Sequence, residues 1–251
     1  MTQSVPEQRF RALFGIERQQ LGPGLVISPF LNSRQAGRHM SSPRFFRGRV
    51  FSGVCGKLSG KPVSFICSGM GHTLTADCVL AQDARRVNTI VFVGAVGAWR
   101  QRAIGDCVLI SRALFDTQYY RQFPGCAMAA GGLAEFVPDA SLALYSENAA
   151  QMRDIALPRI ALASVNSLWQ QDEEMVPRLE VAGVSGIDLE CALFYAAAAH
   201  CAIAGVSLAV VTDIPGERPY WGGFSVTERR AISRNLHCLL QLSLHIAATA
   251  A

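Results

Sequence analysis

The chain has 251 residues, half of them hydrophobic, with a charged fraction of 17% and a formal net charge of +4. That charged fraction is too low for a disordered protein, and a chain of this length can bury a large core. No run of basic residues accompanies the positive charge. The composition therefore argues against a dedicated nucleic-acid-binding protein but allows an anionic small molecule as ligand.

The N-terminal segment, residues 1–24, is predicted to form a helical extension. Phe10, Leu13 and Phe14 alternate there with charged residues, and a Leu-Gly-Pro-Gly sequence ends the segment. It lacks the uninterrupted apolar stretch of a signal peptide, and the most apolar later window is broken by His200 and Gly205. We therefore expect a soluble, cytoplasmic protein that does not contact a membrane.

From residue 25 to 251 we predict one α/β domain, because short β-rich runs alternate with helical stretches and no long linker interrupts them. The predicted strands are 25–28, 62–67, 89–94, 107–111, 159–164 and 207–212. The predicted helices are 73–86, 187–204 and 227–248. Eight cysteines include no C-x-x-C pair, so we expect buried free thiols and no metal site.

Glycine-rich or acidic clusters adjoin several of these strands: Cys67–His72, Val93–Ala98 continuing to Ile104–Asp106, and Gly186–Glu190 with Val210–Asp213. In an open α/β sheet, ligand-binding loops lie at the carboxyl ends of strands. The 69–71 turn can expose amides to an anion or a ribose hydroxyl, or can be only a tight turn that requires glycine. Leu74 replaces the third glycine of the dinucleotide-binding pattern, which argues against an NAD cofactor.

The order and spacing of these clusters resemble the nucleoside phosphorylase and nucleosidase family, which cleaves the N-glycosidic bond of nucleosides. The resemblance extends from Leu25 to the C-terminal helix. It implies a three-layer α/β/α sandwich around a mixed, twisted and partly closed sheet. It also implies no cofactor other than inorganic phosphate as co-substrate, and a homo-oligomer, either a dimer or a trimer of dimers.

The resemblance also assigns the reacting groups. Asp213 matches the acid that protonates the purine base, and Glu190 matches the carboxylate that holds the ribose hydroxyls, with Leu189 packing on the sugar. The alternative from the sequence alone is that Glu190 is an acidic residue in the first turn of helix 187–204, together with Asp188, and that Asp213 is a turn former. The implied base-binding residues are Leu168, Trp169, Ala95, Val96 and Gly97.

Phosphate is assigned to Arg34, to Arg49 reaching from a neighbouring subunit, and to the turn Gly69, Met70 and Gly71. Two guanidinium groups match the oxygens of a phosphate, although both arginines can instead be ordinary surface residues. The sequence departs from the family nearby. Phe92 replaces a phosphate-binding arginine, Ala95 a hydroxyl residue, and Phe30 a glycine.

Three functions stay open on this evidence. The first is phosphorolysis of a purine-type nucleoside, which gives free base and ribose 1-phosphate. The second is a phosphate-independent hydrolase of the methylthioadenosine nucleosidase type, favoured by Phe92 and Ala95. The third is a non-catalytic nucleoside-binding relative, suggested by the accumulated departures. A pyrimidine substrate is disfavoured because residues 170–172 lack the Gln/Arg pair that reads uracil. His72, at the start of a helix, is interpreted as structural.

Overall fold

One mixed β-sheet with helices on both faces forms the protein, as seen in a computed structural model that describes residues 5–99, 101–116, 133–167 and 175–251. Its strands are β1 Gly24–Ser28, β2 Ser41–Arg47, β3 Ser52–Leu58, β4 Lys61–Cys67, β5 Thr89–Ala98, β6 Cys107–Asp116, β7 Leu133–Phe136, β8 Arg159–Ser164, β9 Gly186–Asp188 and β10 Ala204–Asp213. Its helices are α1 Glu7–Phe14, α2 Ser33–Gly37, α3 His72–Leu80, α4 Ala140–Gln151, α5 Met175–Val181, α6 Cys191–His200 and α7 Val226–Ala250.

The sheet closes on itself over part of its width. The strand order is β10-β6-β8-β9-β5-β1-β4-β3-β2, with β7 paired to β6, and a further pairing joins β10 directly to β5. That pairing closes β10, β6, β8, β9 and β5 into a barrel, while β1, β4, β3 and β2 extend from it. Parallel pairs such as β1–β4 and β10–β5 occur beside antiparallel ones such as β10–β6. The predicted mixed, partly closed sheet is confirmed.

Two apolar cores lie on the two faces of the sheet. In β1, Leu25 and Ile27 pack into the core that α1, α3 and α6 share, while Val26 packs into the core formed with α2, α4 and α7. Successive side chains of a strand point to opposite faces, so a continuous apolar strand needs helices on both sides. The three-layer α/β/α architecture is confirmed.

The predicted helix 187–204 is wrong at its start. Gly186–Asp188 form β9, in which Ile187 pairs with Gly97 of β5 and with Ala163 of β8, and helix α6 begins only at Cys191. Asp188 and Glu190 therefore precede the helix and are not in its first turn. The buried neighbours of Ile187 on both sides outweigh the helical pattern of the following residues.

The predicted helix 73–86 also ends early, at Leu80.

Helix α1 packs against the remainder of the chain. Phe10 and Phe14 are fully buried, with ring centroids 4.3 Å apart, and Phe14 also stacks on Phe51. The domain boundary after residue 24 stays a prediction, although α1 contributes to the same core as α3 and α6. Within the described ranges, no helix is both long enough and apolar enough to cross a lipid bilayer.

Candidate active site

A cavity of about 150 Å³ opens where β5, β9 and β10 end, beneath the loops that follow β1 and β4. Its walls include residues from the turn after β4 (Met70), β5 (Ala95, Gly97), the β9–α6 connection (Leu189, Glu190) and β10 (Asp213). Phe30 and Tyr220 complete the rim. The structure thus brings together the main glycine-rich and acidic clusters that the sequence singled out, at the carboxyl ends of parallel strands.

Asp213 ends β10 and is only 4% exposed. Val211 pairs with Val96 and Asp213 with Gly97, so Thr212 is an extra residue that forms a bulge. Bulges commonly re-aim side chains beside active sites. The Thr212 hydroxyl donates to Asp213 Oδ1 at 2.8 Å, whereas Oδ2 is buried and accepts no hydrogen bond from any described residue. The carboxyl group is therefore held by one oxygen, and the other remains available to a ligand.

The surroundings of Asp213 favour its protonated form. Burial raises the pKa of the carboxyl group, and the hydrogen bond from Thr212 offsets part of that rise. Gly97 provides the space, because a Cβ atom at that position would lie 2.7 Å from Oδ2. A buried carboxylic acid with one unpaired oxygen can donate a proton to a group that enters the cavity.

Glu190 faces the same cavity from the β9–α6 connection and is 5% exposed. It occupies the N-cap position of α6 but does not cap that helix with its side chain. Its Oε1 instead accepts a hydrogen bond of 2.7 Å from the Gly71 amide at the start of α3. Burial, and next the charge of Asp188, raise the pKa of Glu190 to about 7. This carboxyl group consequently ionises near neutral pH.

Asp188 also lines the cavity, but its carboxylate connects three elements of the fold. Its Oδ1 accepts from the Ser164 hydroxyl at 2.5 Å, and its Oδ2 accepts from the Cys191 amide at 2.8 Å. Burial raises its pKa. Both oxygens are already bonded within the protein, so Asp188 joins β8, β9 and α6 and fixes the segment that carries Glu190.

The turn after β4 requires glycine at two positions. Gly69 and Gly71 have φ angles of 78° and 99°, a region that glycine enters without steric cost. Met70 between them is 62% exposed and lines the cavity. The Gly71 amide, which the sequence analysis assigned to phosphate, is bonded to Glu190. The positive φ angles support the tight-turn interpretation, the Gly71 amide is bonded to a carboxylate, and ligand binding by this segment stays a prediction.

The remaining predicted residues divide into three groups. Ala95, Gly97 and Leu189 line the cavity, and their predicted contacts with base and sugar stay predictions. Val96 was predicted to contact the base, but its side chain is 1% exposed and packs in the core. Alternate residues of β5 point to opposite faces of the sheet, so Val96 points away from the side that Ala95 and Gly97 share. Leu168 and Trp169 lie outside the described residues, and their predicted role stays a prediction.

The two predicted phosphate-binding arginines are exposed and do not line the cavity. Arg34 borders a separate groove of about 470 Å³ beside Phe45 and Arg47. Arg49 lies in the turn between β2 and β3, where its amide donates to the Ala12 carbonyl. Among the described residues that line the cavity there is no lysine or arginine. Phosphate binding by Arg34 and Arg49 therefore stays a prediction that requires their side chains to reach this cavity or that of another subunit.

The two phenylalanines at unusual positions behave differently. Phe92 is fully buried and stacks on Phe194 of α6 at 5.3 Å, next to the space that Gly94 leaves open. Phe30, by contrast, is 38% exposed and lines the cavity. Core packing thus accounts for Phe92, whereas Phe30 forms part of the cavity wall.

The family model described as "Phosphorylase superfamily" matches residues 27–240. The chain belongs to this superfamily. A purine nucleoside phosphorylase of the DeoD type from Actinobacillus pleuropneumoniae is 28% identical over 170 residues, which cover 66% of this chain and 68% of that protein.

Several solved structures share the fold, among them these three. Uridine phosphorylase from Vibrio fischeri has a TM-score of 0.76 at 12% identity, covering 92% of this chain and 94% of that one. The 5'-methylthioadenosine/S-adenosyl homocysteine nucleosidase from Campylobacter jejuni has a TM-score of 0.74 at 14% identity, covering 90% and 98%. Purine nucleoside phosphorylase from Toxoplasma gondii has a TM-score of 0.72 at 15% identity, covering 98% and 97%. At these identities the likeness establishes the fold alone.

One further segment that matches the family pattern has a structural role here. Gly105, in the predicted Ile104–Asp106 match, has a φ angle of 101° and donates its amide to Val211, while its carbonyl accepts from Asn235 of α7. This tripeptide therefore joins β10 to α7 and does not line the cavity. Tyr220, which was not predicted from the sequence, lines the cavity from a short 3-10 helix, Tyr220–Gly222. The only feature of the sequence that could have indicated this position is an aromatic residue shortly after Asp213.

No described group of three or more metal-ligating side chains could hold a metal ion.

Proposed function

We propose that this protein cleaves the N-glycosidic bond of a purine-type nucleoside by phosphorolysis, giving free base and ribose 1-phosphate. The observation that carries the proposal is the pair Asp213 and Glu190, which face one cavity from different strand ends. Each has an environment suited to a different half of the reaction. Membership of the phosphorylase superfamily supports a glycosidic bond as the target.

Breaking the bond leaves positive charge on the sugar and negative charge on the departing base. Asp213, whose pKa is raised by burial, donates a proton to the base and makes it a better leaving group. Glu190 accepts hydrogen bonds from the ribose hydroxyls, and these strengthen as the sugar becomes cationic. Met70 and Leu189 provide apolar contacts in the same cavity.

The purine assignment is supported by the 28% identical relative, a purine nucleoside phosphorylase. Protonation by an aspartic acid also suits a purine, which presents the basic N7 atom to it. Phosphate would be held by Arg34 and by Arg49 of a neighbouring subunit in an oligomer, either a dimer or a trimer of dimers. Their donors match the phosphate oxygens.

Hydrolysis is the second candidate, and a specific observation favours it. The described lining of the cavity has carboxylates but no cationic side chain, and the Gly71 amide is already bonded to Glu190. A phosphate anion placed beside Glu190 would meet a negative charge when that residue is ionised. Water carries no such penalty.

We expect phosphate-dependent release of free base when the purified protein is incubated with adenosine, inosine or guanosine. The variants Arg34→Gln and Arg49→Gln should each raise the KM for phosphate about 10-fold or more, since a charge-assisted hydrogen bond contributes ~1.5–3 kcal/mol. Arg38→Gln, a change at another exposed arginine beside α2, is the matched control. Chromatography of the base with and without phosphate measures the outcome.

Equal release of base without phosphate would replace phosphorolysis by hydrolysis. Binding of nucleosides without any release would leave a non-catalytic protein. Unchanged phosphate dependence in both arginine variants would remove these residues from the site while keeping the activity.

Gly97→Ala is expected to lower turnover about 10-fold by displacing the acid. The added Cβ would lie 2.7 Å from Asp213 Oδ2 and 3.0 Å from Pro215 Cγ, so the carboxyl group must move. Overpacking of this kind also lowers the free energy of unfolding by ~1–3 kcal/mol. Initial rates and thermal unfolding measure both effects. In the double variant Gly97→Ala/Asp213→Asn, the two losses of turnover should not add. Full additivity would show that the effect of Gly97→Ala on turnover does not depend on Asp213.

A further inference from the structure

Tyr220 lines the cavity, but the proposed reaction gives it no role. It is 51% exposed, as a ring at the mouth of a cavity would be, and it meets the ring of Phe224 edge-on, with 5.8 Å between the centroids. Trp221, the next residue, is 64% exposed and is not part of the cavity wall. Two adjacent aromatic residues of one short helix therefore differ in what they face.

The chain reverses direction directly after Asp213. Ile214 and Arg218 exchange two backbone hydrogen bonds, with 2.9 Å between the Ile214 amide and the Arg218 carbonyl and 2.7 Å in the opposite sense. Asp213 immediately precedes this reversal, and Tyr220 follows it by two residues. Tyr220 is thereby tethered to the end of the cavity at which Asp213 pairs with Gly97.

One carboxylate holds both ends of the segment that carries Tyr220, residues 218–225, which we call the Tyr220 loop. Arg218 Nη2 donates to Glu228 Oε1 and Oε2, at 2.8 and 2.9 Å. The Ser225 amide donates to Glu228 Oε2 at 2.8 Å, and the Ser225 hydroxyl accepts from the Glu228 amide at 3.2 Å. The bonds with Ser225, and next the bond with Arg218, lower the pKa of Glu228 to about 2. The carboxylate is therefore charged throughout the physiological pH range.

Between its two ends the Tyr220 loop has little internal support. Within residues 219–224, the described hydrogen bond is the one from the Gly222 amide to the Pro219 carbonyl at 2.8 Å. Gly223 follows with a φ angle of 77°, a region that glycine enters without steric cost. The position of the Tyr220 ring consequently depends on the attachment of both loop ends to Glu228.

We propose that Tyr220 is a specificity-determining residue that packs on the purine base, and that Glu228 is the positioning residue that holds it there. The inference rests on the proposed function, in which the base lies beside Asp213. A purine presents a flat aromatic face, and an aromatic side chain packs on such a face whichever substituents the base carries. Tyr220 thus contributes to binding of the base and not to binding of the sugar.

Free hypoxanthine and an iminoribitol, which is a protonated ring analogue of ribose without a base, separate these two contributions in calorimetric binding experiments. We expect Tyr220→Ala to weaken hypoxanthine binding about 10-fold, the size of one lost contact between base and aromatic ring, and to leave iminoribitol binding within about twofold. Tyr220→Phe keeps the ring and should restore hypoxanthine binding. Trp221→Ala, which removes the neighbouring ring outside the cavity wall, is the matched control.

Glu228→Gln tests the positioning role. It should weaken hypoxanthine binding about threefold, because glutamine still accepts from the Ser225 amide but has no charge to pair with Arg218. In Glu228→Gln/Tyr220→Ala the loss should not exceed that of Tyr220→Ala alone, because no ring is left to position. Glu217→Gln, at an exposed glutamate of the chain reversal, is the control and should leave binding unchanged.

Unchanged hypoxanthine binding in Tyr220→Ala overturns the proposal. So does an equal loss of affinity for hypoxanthine and iminoribitol, which would show a general change in the cavity, and so does an unmodified protein that binds no purine. Full additivity of Glu228→Gln and Tyr220→Ala overturns the positioning role of Glu228. If Tyr220→Ala does not fold, Tyr220→Leu replaces it, because leucine fills part of the same space without an aromatic face.

The binding experiments need no turnover, so they separate this inference from the proposed function. An unmodified protein that binds hypoxanthine but releases no base from nucleosides refutes the proposed function. Selective loss of hypoxanthine binding in Tyr220→Ala would still support the role of Tyr220 in that case. Release of base together with unchanged hypoxanthine binding in Tyr220→Ala would support the proposed function and refute the role of Tyr220.

Discussion

Replacing Asp213 with asparagine is expected to lower turnover of purine ribonucleosides by ~10²-fold or more, the usual contribution of a positioned general acid. Asparagine has nearly the same shape, so the bond from Thr212 and the fold are retained. The amide, however, has no proton to give to the departing base. Initial rates at saturating substrate measure the loss, and an unchanged thermal unfolding midpoint shows that the fold is intact.

Two controls isolate the proton transfer. Asp77→Asn makes the same chemical change at an exposed position of α3 and should leave turnover unchanged. A purine nucleoside alkylated at N7 already carries the positive charge that protonation would create. The Asp213→Asn loss should therefore shrink strongly with that substrate. An equal loss with both substrates would show that Asp213 binds or orients the base without acting as its acid.

Glu190→Gln is expected to lower kcat/KM for ribonucleosides by ~10²-fold, mainly through kcat, because the bonds to the diol strengthen as the sugar becomes cationic. Glutamine still accepts from the Gly71 amide but carries no charge. With the pKa of Glu190 near 7, activity of the unmodified protein should rise with pH through neutrality as the carboxylate forms. That rising limb should vanish in Glu190→Gln, and a variant with an unchanged profile and rate would exclude Glu190 from sugar binding.

The same variant should be more stable than the unmodified protein in alkaline solution. The folded pKa of Glu190 is raised from 4.5 to about 7, so the folded state binds the proton more tightly than the unfolded chain. The stability is therefore fully present below pH 4.5 and is lost as pH rises through 7, by roughly 3 kcal/mol at most. Denaturant unfolding at pH 5 and pH 8 measures this, with a gain for Glu190→Gln expected only at pH 8.

The sequence predicted the secondary structure correctly where the local pattern of apolar residues agrees with their burial in the fold. The apolar runs that form β1, β4, β5 and β10 were predicted as strands. The cavity lies at the glycine and acidic ends of these strands, although the cluster at residues 104–106 does not line it. The start of α6 was misjudged because Ile187 gains buried neighbours on two strands, and such pairing partners are distant in the sequence. Val96 was misassigned for a related reason, since the alternation along β5 turns it into the core.

The hydrogen bond that holds the Glu190 carboxylate could not be predicted from spacing. The Gly71 amide lies 119 residues from Glu190 along the chain. The sequence resemblance assigned that turn to phosphate, whereas in the fold it donates to a carboxylate. Tyr220 is a similar case, because only the course of the chain after β10 brings its ring to the cavity. The arginines could be recognised by type, but their distance from the cavity depends on the arrangement of α2 and β2.

The extra pairing of β10 with β5 has a consequence for how the site can diversify. Asp213 is the last residue of β10. This strand pairs with β5 along most of its length, within the closed barrel. Glu190 lies in the short irregular connection that follows β9, a strand of three residues, and its carboxylate accepts a hydrogen bond from the Gly71 amide. In the proposed reaction the base therefore binds beside a continuous pair of strands, and the sugar binds beside a short connection that a few individual hydrogen bonds hold. Attempts to change the accepted substrate should mutate the α3 turn and the β9–α6 connection and leave the barrel untouched.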